Sequence, residues 1–197
     1  MSPVGRPRQF DEAEVLDRAV EQFWIHGYEA TSLNDLIEAT GLQKGSIYKA
    51  FGDKHNLFMM ALERYLDFAV EVTKETLSQG ETPSSALAAW LTGIVDRQKS
   101  GATRCGCFAV NAAVELAPRD DVVRERLRRH DRRMISLLQQ TIVAGQEAGE
   151  FRTDSDAKEL AEYVMTVVNG LSAAARREAA FGRMQKHVDW VMETLAP

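Results

Sequence analysis

The chain has 197 residues, 45% of them hydrophobic, and a formal net charge of −5 at pH 7. This length supports a sizeable core in one domain or two small ones, while the negative balance argues against capturing nucleic acid by bulk electrostatic attraction. The sequence contains no run of about 18 apolar residues that would span a membrane, and its N-terminus lacks the apolar core of a signal peptide. We therefore expect a soluble, cytoplasmic protein.

The first predicted element is a helix preceded by a short basic arm. Apolar residues recur at helical spacing from Asp11 to His26, and no strand-period alternation of any length appears, so the sequence predicts an all-α fold. The arm contains Arg6 and Arg8 in a proline-interrupted stretch. It either follows the minor groove or the phosphates of DNA, or it is a disordered tail.

Two short helices joined by a glycine-containing turn follow the first helix. We predict them over 33–40 and 44–51, with Gly41 in the turn because glycine tolerates the positive φ that a tight turn requires. Thr31 and Ser32 lie directly before the first of the pair and are suited to cap its free N–H groups. Together with the first helix, this pair predicts a three-helix domain of the helix-turn-helix type.

The second helix of the pair has a polar, locally basic surface. Lys44, Lys49 and Lys54 are accompanied by a single acid, Asp53, in this segment. A short helix of this kind, with the aromatic hydroxyl of Tyr48, suits the major groove of DNA, where side chains reach base edges and flanking groups bind phosphate. The alternative is an ordinary helical hairpin with solvated lysines.

The stretch from Phe10 to about Phe58 contains a dense series of short motifs, which are Gly27-Tyr28, Thr31-Ser32, Ala39-Thr40-Gly41-Leu42 and Lys44-Gly45-Ser46-Ile47-Tyr48-Lys49-Ala50-Phe51. In this order and spacing the motifs resemble the DNA-binding domain of the tetracycline-repressor (TetR/AcrR) family. The sequence departs from the family pattern at Ile37, where alanine is more frequent, and at Gln43, where serine is frequent. The second difference bears on which bases are read.

The resemblance implies a fold, partners and a set of contact residues. The implied fold is all-α, with an N-terminal helix-turn-helix domain over 1–55 and a C-terminal ligand-binding and dimerisation domain over 56–197. The implied function is that of a small-molecule-responsive repressor, which binds double-stranded operator DNA as a homodimer. Tyr48, Thr31 and Lys54 are implied to bind mostly phosphate. The residues implied to contact DNA are Thr31, Ser32, Gln43, Lys44, Gly45, Ser46, Tyr48, Lys49 and Lys54.

The rest of the sequence predicts one long connecting helix and then several shorter or amphipathic ones. The connecting helix runs from an N-cap at Asp53 to about Leu77. Because a continuous helix transmits rotation stiffly, we expect it to act as a lever between a ligand site and the DNA-reading helix. The later helices are expected from a cap at Ser84 or Ser85 to Lys99, over 107–116, over 120–149, from a cap at Asp154 or Ser155, and after a break at Gly182.

The last two predicted helices have broad apolar faces. They present more apolar surface than one subunit of this size covers, so we expect them to pair with the same helices of a second subunit in a four-helix bundle. The alternative is packing onto the body of the same chain. Helix-turn-helix proteins that read two half-sites need such two-fold symmetry. The half-sites are separated by one or more helical turns of DNA, each about 34 Å long, so each subunit reads one of them.

The sequence shows no catalytic constellation. The four histidines lie on four different predicted elements, and neither a glycine-rich phosphate loop nor a G-x-S-x-G elbow is present. We therefore expect that the protein is not an enzyme and binds no cofactor or resident metal. A second function class is a helical adaptor that binds protein partners and has no operator.

The two cysteines form a single motif, Cys105-Gly106-Cys107, directly before a predicted helix. The helix N-terminus and Arg104 favour the reactive thiolate. With Asn111 and Glu115 on the same helix face, the motif resembles a subgroup of the family that responds to electrophiles, oxidants or metals through a cysteine at this place. A Cys-x-Cys pair also suits Cu(I). The alternative is that Cys107 only packs beside an organic-ligand pocket. The candidate effector residues are Cys105, Cys107, Asn111 and Glu115.

Overall fold

The computed structural model describes residues 10–99, 105–177 and 181–197, and within them every regular element is a helix, which confirms the all-α prediction. Arg6, Arg8 and Arg104 lie outside the described residues. None of the described helices combines the length and apolar character needed to cross a membrane. The helices are α1 (Glu12–His26), α2 (Leu33–Thr40), α3 (Lys44–Phe51), α4 (Lys54–Gln79), α5 (Pro83–Lys99), α6 (Phe108–Glu115), α7 (Asp121–Glu147), α8 (Ala157–Ala175) and α9 (Phe181–Leu195).

Local capping interactions explain where the first helices begin. The Asp11 carboxylate accepts a hydrogen bond from the Ala13 N–H at 2.8 Å, so Asp11 is the cap of α1 rather than its first residue. Ser32 Oγ accepts from the Asp35 N–H at 3.2 Å, and the Asp35 carboxylate accepts from the Ser32 N–H at 2.7 Å. This reciprocal capping box begins α2 at the predicted residue. Both α2 and α3 have the predicted bounds.

The chain divides into two compact units, Met1–Arg64 and Tyr65–Pro197, and the division falls inside α4. The boundary expected after residue 55 lies at the beginning of the same helix. In the first unit, α1 packs on α2 and α2 packs on α3. The side chains that are at most 1% exposed in its core include Phe23, Leu36, Ile47, Phe51, Leu57 and Phe58.

An ion pair joins α1 to the part of α4 that belongs to the first unit. Arg64 donates to the Asp17 carboxylate twice, from Nε to Oδ1 at 2.5 Å and from Nη2 to Oδ2 at 2.8 Å. Hydrogen bonding to this guanidinium lowers the pKa of Asp17. Both side chains are largely exposed, so the pair contributes roughly 0–1 kcal/mol to stability. Its two-point geometry nevertheless defines the direction of the Arg64 side chain.

The second unit has one apolar core between α5, α7, α8 and α9. The most extensive packing is of α7 along α8 and of α5 along α9. The buried Trp90 Nε1–H donates to Thr73 Oγ1 at 3.0 Å, which satisfies the indole inside the core. The large core residues of this unit include Leu87, Leu91, Leu138, Ile142, Phe151, Val164, Val188 and Leu195.

The beginning of α5 differs from the expectation. Pro83 is its first residue, a position where proline fits because the missing N–H would have no partner within the helix. The Ser85 N–H donates to Thr82 Oγ1 at 3.2 Å, and the Thr82 N–H donates to Ser85 Oγ at 3.0 Å. Thr82 therefore caps α5, and the prediction of Ser84 or Ser85 as the cap was wrong.

The beginnings of α8 and α9 also correct the sequence prediction. Asp156, rather than Asp154 or Ser155, caps α8 by accepting hydrogen bonds from two N–H groups of its first turn. Asp154 instead forms a two-point ion pair with Arg152, at 2.6 and 2.8 Å. Gly182 lies inside α9 and does not break the chain.

Candidate nucleic-acid interface and cysteine loop

Helix α3 has a buried apolar side and an exposed polar side. Ile47 and Phe51 are 0% and 1% exposed, so the helix is held by this face against the first unit's core. Tyr48, on the other side, is 46% exposed. Ser46 is half-buried. The other predicted DNA contacts at α3, all exposed, are Gln43, Lys44, Gly45 and Lys49.

The polar groups near α3 leave its positive charge dominant. Gln43 is the N-cap residue of α3, but its side chain makes no capping hydrogen bond. The Asp53 carboxylate accepts a hydrogen bond from the Asn56 N–H at 2.7 Å, which confirms Asp53 as the cap of α4. This one acid stands against three lysines of the segment, Lys44, Lys49 and Lys54.

Gly45 has open space in front of it. A Cβ built at this position would meet no atom of the described residues within 4 Å beyond its chain neighbours and its own helix backbone. Glycine inside a helix costs about 1 kcal/mol relative to alanine. A helical glycine with open space in front of it suits the close approach of another molecule's backbone.

The two residues before α2 have different surroundings. Thr31 is only 1% exposed, and its hydroxyl donates to the Gly27 carbonyl at 2.6 Å. A buried hydroxyl with this partner does not face a phosphate, so the expected phosphate contact of the Thr31 side chain does not fit the geometry. Ser32 is exposed and caps α2, and its hydrogen bonds to Asp35 lower the pKa of that carboxyl group.

Two lysines of the candidate interface lie near aromatic rings at different distances. The Lys54 ammonium is 4.3 Å from the centroid of the Tyr28 ring. The Lys44 ammonium is 6.0 Å from the Tyr48 centroid, at the outer limit of a cation–π contact. Lys54 is thus the more firmly placed cation.

The cysteine loop, residues 105–107, is the second candidate region. Both cysteines are free and half-buried, and Cys107 is the N-cap residue of α6. Cys107 Sγ lies 3.3 Å from the Tyr65 hydroxyl on α4. Burial raises the pKa of Tyr65 well above its usual value, and the neighbouring Cys107 raises it further. The phenol therefore stays protonated beside the sulfur.

Close packing surrounds the middle of the cysteine loop. Gly106 has φ +74°, and a Cβ built on it would lie 2.7 Å from the Ser172 carbonyl oxygen of α8. Asn111 Nδ2 donates to the Cys105 carbonyl at 2.8 Å, so the predicted effector residue Asn111 supports the loop backbone. Glu115 is half-buried at the end of α6. The loop thus contacts α4, α6 and α8 within the second unit.

Two residues of these regions were not found by sequence reasoning. Tyr65 contacts Cys107, and Tyr28 contacts Lys54. Each pair is distant in sequence, so local patterns do not indicate the contact. Tyr28 stands in the Gly27-Tyr28 motif and Tyr65 is an aromatic residue of α4, but neither signal identifies a partner. Across the described ranges, no three His, Cys, Asp or Glu side chains are grouped to hold a metal ion.

An open groove of about 400 Å³ lies along α7 in the second unit, and it is bordered by Val70, Leu137, Ser136 and three arginines. Two of these arginines have acidic partners. Arg133 donates to Asp67 at 2.7 Å, and Arg132 donates to Glu125 at 3.0 Å. The groove is therefore a solvated face with interleaved charges.

Comparison with known families gives two matches that together cover most of the chain. The family model described as "Bacterial regulatory proteins, tetR family" matches residues 15–59. The model described as "Tetracyclin repressor-like, C-terminal domain" matches residues 83–191. The first match contains α2 and α3, and the second contains the cysteine loop.

Individual proteins and a solved structure are similar over nearly the full length. The chain is 35% identical to the HTH-type transcriptional repressor ComR of Escherichia coli, covering 92% of this chain and 87% of ComR. It is 29% identical to the regulator YezE of Bacillus subtilis, covering 98% of this chain and all of YezE. The TetR family transcriptional regulator CifR, solved as a cysteine mutant with 26-base-pair operator DNA, has a TM-score of 0.86 and 32% identity, covering 97% of this chain and 100% of CifR.

Proposed function

We propose a division of roles among the residues of this chain, which belongs to the TetR family of bacterial regulatory proteins. The chain is a DNA-binding transcriptional repressor and not an enzyme. It binds operator DNA as a homodimer and responds to a small-molecule effector. We place the protein in the cytoplasm. We set the helical-adaptor alternative aside, because the relatives of this chain are transcriptional repressors.

The exposed face of α3 supports its insertion into the major groove. Gln43, Lys44 and Ser46 lie in its first turn or at its N-cap, where recognition helices reach base edges. Tyr48 and Lys49 lie one turn later, beside the phosphates, and Lys54 binds phosphate from the start of α4. The observation that carries this proposal is the opposition of buried Ile47 and Phe51 to these polar side chains.

Fluorescence anisotropy with operator and random DNA tests this division. Tyr48→Ala is expected to weaken binding to both DNAs, whereas substitutions at Gln43 are expected to change which operator is preferred. Loss of Lys54 in Lys54→Met should reduce the slope of log K against log salt by about 0.9 per phosphate contact. Lys74→Met, at an exposed lysine of α4 outside the interface, is the matched control. Equal effects of the Tyr48 and Gln43 variants on both DNAs would exclude the division.

We propose that α8 and α9 form the dimer interface as a four-helix bundle. Tyr163 on α8 is 39% exposed and Trp190 on α9 is 54% exposed, although both helices also contribute to the core. His187 stands edge-on to the Trp190 ring with centroids 5.2 Å apart. Exposed aromatic residues of this kind suit burial at an interface.

Light scattering after gel filtration tests the interface. Trp190→Ala is expected to shift the protein toward monomer at low micromolar concentration. Phe68→Ala removes an aromatic side chain that is 65% exposed on α4 and should leave the dimer unchanged. A dimer that survives Trp190→Ala and Tyr163→Ala together would refute this assignment.

We propose that effector binding or modification at the cysteine loop releases the operator. Any group added to Cys107 Sγ competes for space with the Tyr65 hydroxyl 3.3 Å away, and Tyr65 belongs to α4. Moving α4 changes the separation of the two α3 helices in the dimer, so both half-sites are no longer met at once. The contact between Sγ and the hydroxyl carries this proposal.

Two cysteine variants separate the chemical alternatives. N-ethylmaleimide is expected to release the operator from the parent protein and from Cys105→Ser, but not from Cys107→Ser. If the effector is instead Cu(I), which binds the Cys-x-Cys pair, either substitution should abolish copper-induced release. Unchanged release of Cys107→Ser under both treatments would leave Cys107 as a packing residue.

A further inference from the structure

Lys54 meets an aromatic ring before any DNA is present. It is the first residue of α4, it is half-buried, and its ammonium lies 4.3 Å from the Tyr28 ring centroid. This distance is well inside the range of about 6 Å in which the negative face of an aromatic ring attracts a cation. The position of the charge is therefore set by a neighbour as well as by the lysine's own rotamers.

The Tyr28 ring is itself held by other aromatic side chains of the first unit. Phe58 stands edge-on to it with centroids 5.0 Å apart, and His55 does so at 6.1 Å. Phe23 is stacked at 6.1 Å. Since Phe23 and Phe58 are 0% and 1% exposed, the ring rests on the rigid part of the core. Its face is a fixed platform for Lys54.

One acid that attracts Lys54 is already engaged in hydrogen bonds. Asp35 attracts Lys54 at longer range. The pKa of Asp35 is lowered mainly by its hydrogen bonds with Ser32, and the charge of Lys54 adds a small further lowering. Its carboxylate accepts the Ser32 N–H at 2.7 Å in the capping box. A ring face attracts the ammonium without using up its N–H donors, so a phosphate can still accept hydrogen bonds from it.

We propose that Tyr28 is a positioning residue for operator binding: its ring holds the Lys54 ammonium where the DNA phosphate arrives. A lysine that is free to rotate loses most of its rotamer freedom when it binds, and a lysine that is already placed loses less. This inference rests on the proposed phosphate contact of Lys54. It adds a residue that does not itself touch DNA.

A double-mutant cycle measured by operator anisotropy tests the role of Tyr28. Tyr28→Leu removes the ring and is expected to raise the operator Kd by roughly threefold to tenfold, the range of an ordinary cation–π contact. Tyr28→Phe keeps the ring face and should restore the affinity to within about twofold of the parent. In the Lys54→Met background, Tyr28→Leu should cause no further change, because the cation that it positions is gone.

A series of fluorinated phenylalanines at position 28 separates positioning from packing. Fluorine withdraws charge from the ring face and nearly preserves its shape, so affinity should fall with each added fluorine when Lys54 is present. In Lys54→Met the series should be flat. The melting temperature of each variant, measured without DNA, shows that folding is retained.

The outcomes distinguish this inference from the proposal beneath it. If Lys54→Met changes neither Kd nor the salt slope, the phosphate contact of Lys54 is absent, and both statements fail. If Lys54→Met weakens binding but Tyr28→Leu has the same effect in both backgrounds, Lys54 binds DNA and Tyr28 only packs. A fluorine series that is flat in the presence of Lys54 would likewise overturn the positioning role.

Discussion

Gly45 in α3 and Gly106 in the cysteine loop are surrounded in opposite ways. Among the described residues, a Cβ at Gly45 would meet no atom within 4 Å outside its own helix, whereas a Cβ at Gly106 would lie 2.7 Å from a backbone oxygen of α8. The glycine in α3 costs helix stability without relieving any internal contact. The glycine in the loop is required by the chain itself.

The difference distinguishes a glycine with open space in front of it, available to another molecule, from a glycine whose place is set by packing within the chain. In the proposed complex α3 enters the major groove, so substitution of Gly45 should affect DNA binding more than folding. At the cysteine loop the place of the glycine is set by α8, so substitution should affect folding first. Four predictions follow this contrast from the largest expected effect to the smallest.

Gly106→Ala is expected to destabilise the protein by about 3–4 kcal/mol, as the sum of the left-handed backbone penalty and the clash with Ser172. The melting temperature should fall by roughly 10 °C. Gly149→Ala is the matched control, because Gly149 has a similar φ of +72° but no atom within 4 Å of its Cβ position. It should cost only about 1 kcal/mol. Equal losses of stability for the two variants would mean that α8 moves away from the added methyl group at no cost in free energy.

The buried His130 should make the stability of the second unit depend on pH. It is 7% exposed, and burial together with Arg133 lowers its pKa from 6.5 to about 4, while Asp67 opposes the shift. The unfolded chain therefore binds a proton near pH 6.5 that the folded chain does not accept until about pH 4. Stability should be full above pH 6.5 and fall by about 3 kcal/mol as the pH drops to 4.

Urea unfolding at a fixed protein concentration measures this effect. His130→Leu should remove about 3 kcal/mol of the acid-induced loss, since the side chain that must remain neutral is gone. The same pH slope in the parent protein and in His130→Leu would contradict the assignment.

Thr31→Val tests whether the buried hydroxyl before α2 is structural. The substitution removes the 2.6 Å hydrogen bond to Gly27 and is expected to cost about 1 kcal/mol of stability. Operator affinity, measured well below the melting temperature, should stay within about twofold, because the hydroxyl faces the protein. Thr31→Ser keeps the hydroxyl and serves as the control. A large loss of affinity with unchanged stability would restore the phosphate contact.

Gly45→Ala should change stability and affinity in opposite directions. Alanine in the helix is expected to stabilise the free protein by about 0.5–1 kcal/mol, because no atom opposes its Cβ. Operator binding should weaken, because in the proposed complex the added methyl group lies between α3 and the DNA. Gly93→Ala in α5, where the Cβ makes only an ordinary 3.5 Å contact, should stabilise the protein without weakening binding. Undiminished affinity of Gly45→Ala would show that DNA stays farther away.

Sequence reasoning succeeds where the determining interactions are local. The bounds of α2 and α3 follow from Ser32, Gly41 and Gly52, each adjacent to the element that it begins or ends. It fails for α5 and α8, because several residues of similar capping preference stand side by side. Asp154 is not available as a cap once Arg152 pairs with it, and only the folded structure decides this competition.

The candidate sites divide in the same way. The residues of α3 could be predicted, because an exposed polar face opposite Ile47 and Phe51 follows from helical spacing. The partners Tyr65 and Tyr28 could not be, because their contacts with Cys107 and Lys54 depend on packing between distant segments. For the same reason, the sequence did not show that the Thr31 hydroxyl, predicted to bind phosphate, is buried against the Gly27 carbonyl.

Two consecutive residues of α4 have partners in different segments: Arg64 pairs with Asp17 of α1, and Tyr65 contacts Cys107 of the cysteine loop. Successive side chains of an α-helix are about 100° apart around its axis. The rotational phase of α4 is therefore defined on both sides of a single peptide bond. Inserting or deleting one residue there would turn the following side chains of α4 by about 100° around the helix axis, and about seven residues, close to two turns, would be needed to restore the phase. Length variation among related chains is thus expected in the connections between helices, and at this point of α4 only in whole turns.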